Sequence, residues 1–82
     1  MRKIDDLVLN NNGFAFEPNH GESFLLNETG FYLLKHLVEG KGIEDTAVEL
    51  SKKYKIPLGE ALSDIFDFVG KLRIFGFEVN NS

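Results

Sequence analysis

The chain has no cysteine. That excludes a disulfide framework and a thiolate metal site, and nothing points to an oxidising compartment. Positive charge is also short: 9 basic residues face 13 acidic ones, a net −4. An acidic domain gains little from a phosphate backbone, the usual source of nucleic-acid affinity. The one basic cluster, Lys52, Lys53 and Lys55, is offset by Glu44, Asp45 and Glu49 and reads as a solvated helix end. No apolar run approaches the ~20 residues of a membrane span. Met1 to Asp6 lacks the apolar core of a signal peptide. The expectation is a soluble cytoplasmic protein.

What is present is apolar mass. Hydrophobic residues make up 43% of the 82 positions, with 8 phenylalanines, enough for one compact core. A single domain over residues 1–82 is expected, with its core at about 7–79.

The first third reads as β. Leu7 to Leu9 is short and apolar, and Asn12-Gly13 is a tight-turn signal because both residues tolerate positive φ. Phe14-Ala15-Phe16 alternates in size, Glu17 to Glu22 is a second turn, and Ser23 to Leu26 is a third strand. The rest reads as helical. Asn27 is a good N-cap, and Phe31, Leu34, Leu37 and Val38 recur at helical spacing. Gly30 is a weak point there, unless its size permits close packing. Gly40 is a plausible left-handed cap. A second helix spans Ile43 to Tyr54, with Ile43, Thr46, Ala47, Leu50 and Tyr54 inward. Pro57 separates it from a third helix, Leu58 to Phe75, with Ala61, Ile65, Phe68, Val69 and Leu72 on one side. Phe77 to Val79 is a short closing strand, and Asn80 to Ser82 should fray. The predicted fold is α+β: a three-stranded N-terminal antiparallel meander, three helices and a short C-terminal strand, in a winged helix-turn-helix-like arrangement.

Catalytic signals are weak. His20 sits in a turn and His36 on what reads as an exposed helix face, without metal-ligand spacing. Asp64 and Asp67 share a side of the third helix, but a solvated face with a local Asp67–Lys71 pair explains them. No serine has triad context, and no glycine loop could cradle a phosphate. A non-enzyme is expected, with no cofactor and no metal. More unusual is a surplus of large apolar residues on the third helix. Leu62 and Phe66 lie beside the core stripe, and Arg73 continues that line through Val69. Either Phe66 packs on a neighbouring element, or the helix borders a partly open apolar groove suited to an extended peptide.

Four segments carry a resemblance. They are F-L-L-N-E-T-G-F-Y-L-L (Phe24 to Leu34), V-E-G-K-G-I-E-D (Val38 to Asp45), L-S-K-K-Y-K-I (Leu50 to Ile56) and D-I-F-D-F-V-G-K-L-R-I-F-G-F (Asp64 to Phe77). Together they resemble the PqqD-like family, named for a member in pyrroloquinoline quinone biosynthesis. Leu26, Asn27, Glu28 and Gly30 match its first motif. Asp64, Phe68, Val69 and Leu72 match its last, with Val69 in place of Leu. Gly76-Phe77 stands where Gly-Leu is usual, and Gly42 where a Thr or Ser helix cap is common. The resemblance implies a peptide chaperone, a recognition element for ribosomally made, post-translationally modified peptides. A precursor's leader would add as a strand at the edge of the third strand, beside the third helix. The domain would present it to a modifying enzyme such as a radical SAM protein or a leader peptidase. On this chain the edge would be Ser23, Phe24, Leu25 and Leu26. The helix wall would draw on Leu62, Phe66, Val69 and Arg73, with Asp67 and Lys71 bordering the other rim. The competing expectations are a winged-helix DNA-binding protein, reading through Lys71 and Arg73, and a small oligomerisation module. A monomer or weak homodimer, binding neither nucleic acid nor membrane, is the leading expectation.

Overall fold

The computed structural model describes residues 2–79; the frayed tail expected at Asn80 to Ser82 lies outside them. The elements run β1 (Arg2–Lys3), a 3-10 turn (Ile4–Asp6), β2 (Val8–Leu9), β3 (Phe14–Glu17), β4 (Glu22–Leu25), α1 (Glu28–Val38), α2 (Ile43–Tyr54), α3 (Leu58–Ile74) and β5 (Phe77–Glu78). The antiparallel meander, the three helices and the terminal strand are all present, so the fold is α+β. β1 and the 3-10 turn are additions that the sequence reading lacked. β5 does not join the meander; it pairs in parallel with β1, Arg2 opposite Phe77.

The meander has the order β2-β3-β4, which leaves β4 with one neighbour among the described residues. Its register sets Phe14 against Leu25, Ala15 against Phe24 and Phe16 against Ser23. Opposed residues share a face. Ala15 and Phe24 therefore point to the core, while Phe14, Phe16 and Leu25 point out and are exposed. The β3–β4 turn is built on a buried carboxylate. Glu17 is 1% exposed. It accepts from the backbone N–H of Asn19 (3.2 Å) and of His20 (2.6 Å) and pairs with His20 Nδ1 at 2.8 Å. Burial alone would push this carboxyl up. The hydrogen bonds from His20 and Asn19 and the charge of His20 outweigh burial and hold it below its ordinary value of 4.5.

α1 starts where expected, with the Asn27 side chain accepting from Gly30 N–H at 2.7 Å. Its buried positions are Gly30, Leu33, Leu34 and Leu37. Phe31 and Val38, expected inward, are half-buried, because that flank faces Leu7 and Leu9 of the N-terminal segment across a cavity of about 270 Å³. α2 has the predicted bounds and buries Ile43, Thr46, Ala47 and Leu50. Gly42 supplies no side-chain cap; instead Thr46 Oγ1 donates to the Gly42 carbonyl at 2.8 Å. Tyr54 is half-buried, and its hydroxyl donates to Glu28 at 2.8 Å, tying the end of α2 to the first turn of α1. α3 contributes Ala61, Ile65, Val69 and Leu72 to the core. His36, expected to be exposed, is half-buried with its ring against Tyr32 at 4.4 Å. Burial and the nearby Lys41 hold its imidazole below the ordinary value.

Two outcomes follow for stability. Lys55 ends α2 in the left-handed region at φ 55°, ψ 46°, a conformation that disfavours a side chain. Lys55→Gly is expected to stabilise the domain by about 0.5–1 kcal/mol, read as a rise of several degrees in the thermal midpoint. For Glu17 the folded value is depressed. Its contribution is therefore complete above the unfolded value of 4.5 and is lost as pH falls through the lower folded value. Thermal melts across acidic pH should show this loss, and Glu17→Gln should lower stability at neutral pH and flatten that part of the profile.

Candidate functional site

The free edge of β4 can be derived from its bonding. Leu26 N–H donates to the Gly13 carbonyl at 2.9 Å, in step with the Phe14–Leu25 register. Bonded and non-bonded pairs alternate along an antiparallel ladder. Phe24 and Leu26 thus bond toward β3, while Ser23 and Leu25 turn their N–H and C=O groups outward to the open edge. On the other side of β3 the phase agrees, since Asn10 N–H donates to the Phe14 carbonyl at 3.0 Å.

Beside this edge lies a groove of about 360 Å³. Ser23, Phe24, Leu25 and Leu26 form one wall, and Phe68, Lys71 and Leu72 of α3 with its C-cap Phe75 form the other. Its floor is aromatic. The Phe24 ring lies 6.0 Å from that of Phe75 and meets Phe77 edge-on at 5.8 Å. Such tilted pairs are favourable beyond their burial. Phe68 packs over Gly30 at ordinary contact distance, and the tight neighbour of that position is the Asn27 cap. A Cβ at Gly30 would lie 3.1 Å from Asn27 Oδ1 and 3.4 Å from the Phe68 ring.

The four β4 residues expected at the edge line the groove together. The four expected on α3 do not line it. Val69 is 1% exposed and belongs to the core. Leu62 packs half-buried against that core, Phe66 is 57% exposed, and Arg73 is exposed; none of the three touches the groove. At about 100° per residue, the Leu62–Phe66–Arg73 line sits on the far flank of the helix from Phe68, Lys71 and Phe75. The open flank is the one that carries Lys71. Lys71, expected on the other rim, lines the groove, whereas Phe75 is the wall residue that the sequence alone did not single out. Its signal was the i, i+4, i+7 spacing of Phe68, Leu72 and Phe75, which competed with the equally regular line through Leu62, Phe66, Val69 and Arg73.

Past Leu26 the groove meets a second cavity of about 280 Å³, more polar, lined by Asn27, Thr29, Asp64 and Asp67 and sharing Phe68 and Lys71 with the first. The expected Asp67–Lys71 pair is not formed. The ion pairs among the described residues are Arg2–Glu22 and Glu17–His20. Among the described residues no three His, Asp or Glu side chains gather as metal ligands. No helix there is long and apolar enough to cross a membrane. The arrangement offers backbone donors and acceptors along one wall and an apolar trough next to them.

No curated protein and no solved structure matches the chain. The family model described as Coenzyme PQQ synthesis protein D (PqqD) matches residues 12–76, which include β3, β4, all three helices and both walls of the groove. With most of its length matched, the chain belongs to the PqqD family, accessory proteins of PQQ and related modified-peptide biosynthesis.

Proposed function

We propose that this domain is a non-catalytic peptide chaperone. It binds the leader of a ribosomally made precursor by strand addition to β4 and presents it to a modifying enzyme, a radical SAM protein or a leader peptidase. The observation that carries the reading is the free edge at Ser23 and Leu25, next to an apolar groove floored by Phe24, Phe75 and Phe77. A guest strand satisfies the outward groups of both residues. Its side chains alternate, so the residue opposite Phe24 enters the trough while its neighbours stay outside. Chemistry on the peptide is left to the partner enzyme. A winged helix-turn-helix arrangement is part of the same reading. The exposed face of α3 carries Phe66 and Ile74, which suit a protein contact better than a phosphate backbone.

Titration of the isotope-labelled chain with the synthetic leader of a precursor encoded beside its gene tests this reading. Amide shifts should concentrate at Ser23 to Leu26 and from Phe68 to Phe75. Shifts that avoid β4 and α3 would sink the groove model. A sharper test uses proline. Ser23→Pro removes a donor from the free edge without touching the β3 ladder, whereas Phe24→Pro removes a ladder bond. Ser23→Pro should weaken leader binding about five- to tenfold, the worth of one backbone bond, with little change in thermal midpoint. Phe24→Pro should unfold or strongly destabilise the sheet. Equal leader affinity for Ser23→Pro and the natural chain would exclude pairing at this edge.

A further inference from the structure

We propose that Arg2 is a positioning residue for the groove: its guanidinium braces the two walls against each other at the end beside Glu22. The consequence for affinity rests on the leader-binding reading, but the brace is a property of the free chain. Arg2 lies outside the matched residues 12–76, so it is no part of what the family pattern describes.

Three contacts carry the inference. One arm of the guanidinium forms an ion pair with Glu22, the first residue of β4. The other arm donates to the carbonyl of Phe75, at the C-terminal cap of α3. The guanidinium plane also lies over the Phe77 ring, 4.2 Å from its centroid. One side chain therefore touches the strand wall, the helix wall and the aromatic floor. Its backbone is aimed by the pairing of β1 with β5, and Arg2 N–H donates to the Gly76 carbonyl at 3.3 Å. Gly76, at φ 91°, turns the chain out of α3 so that the Phe75 carbonyl meets this fork. The acceptor is one of the last carbonyls of α3, the negative end of its dipole. A planar fork with two separated donor edges can link two walls while stacking on a ring; a lysine ammonium cannot.

The brace has two effects. It holds β4 and the end of α3 at a fixed separation, so the groove is shaped before a guest arrives. It also sets an ion pair at the Glu22 end of β4, so a guest strand paired at Ser23 and Leu25 meets charge on that side and, past Leu26, the cavity lined by Asp64 and Asp67.

Amide hydrogen exchange on the ligand-free chain tests the brace, using Arg2→Ala and Glu22→Gln. Both should speed exchange at Phe24, Leu26 and Phe77 while leaving the α2 core amides unchanged, with only a small fall in thermal midpoint. Affinity for the synthetic leader should drop about tenfold in Arg2→Ala, since only part of the population keeps a competent groove. Should Arg2→Ala fail to fold, Glu22→Gln carries the same test, because it leaves the stacking on Phe77 in place. Exchange at β4 indistinguishable from the natural chain in the folded variants would overturn the proposal. If the natural chain binds no leader, the chaperone reading falls, and the exchange measurement still decides the brace.

Discussion

The hydrogen bond from Gly30 N–H to the Asn27 side chain sets the geometry on which the groove depends. Leu26 closes the β3–β4 ladder through its bond to Gly13, and the next residue already caps α1. No loop residue lies between them to absorb a change of direction. The capping bond therefore fixes the angle at which the edge strand leaves the helical layer. Gly30 sits in the same turn, and its missing side chain leaves the Asn27 cap uncrowded, with Phe68 packed over it. One local motif thus orients a strand and packs against Phe68 of α3. A longer connection would add conformational freedom to the edge and blur the groove.

With the walls fixed, the question is which interaction governs what binds. Ser23 and Leu25 present four backbone groups, but water already satisfies them in the free chain. Each exchanged bond nets only about 0.5–1.5 kcal/mol and is blind to side-chain identity. Burying one large apolar side chain contributes about 1.5–3 kcal/mol and is specific for shape and polarity. On the proposed reading the edge therefore supplies a sequence-tolerant share of affinity and no choice of register. Discrimination between guests would then come from the trough over Phe24, Phe75 and Phe77.

Much of this architecture was legible in the sequence where local chemistry alone decides. The bounds of α2 follow from its acidic first turn, basic last turn and the Pro57 break; the start of α1 follows from Asn27. The strands of the meander came from alternation and the Asn12-Gly13 turn. What was illegible depends on distant partners. β1 is two residues long and exists because Phe77 and Glu78 pair with it from the other end of the chain. Glu17 reads only as the first residue of a turn, and the folded turn shows it buried under three hydrogen bonds. On α3 two apolar lines of equal regularity run side by side. Periodicity gives the lines but not which of them faces the strands. The choice of Phe68, Leu72 and Phe75 over Leu62, Phe66 and Arg73 is made by the path of the chain through Asn27, a tertiary fact that no window on α3 contains.

The groove is asymmetric, and that asymmetry bears on register. A one-residue slip of a guest would move its anchor to the outer face beside Leu25, which is 71% exposed, so the anchor would lose its enclosure. A two-residue slip keeps the anchor on the inner face but shifts it by roughly 7 Å. In one direction it then meets the charged Arg2–Glu22 pair, and in the other the cavity lined by Asp64 and Asp67. Neither end accommodates a large apolar group without desolvating charge. Backbone pairing tolerates every one of these registers equally. On the proposed reading, the single apolar trough between two polar ends is what selects one register, and so sets which point of a flexible peptide would be delivered to a partner.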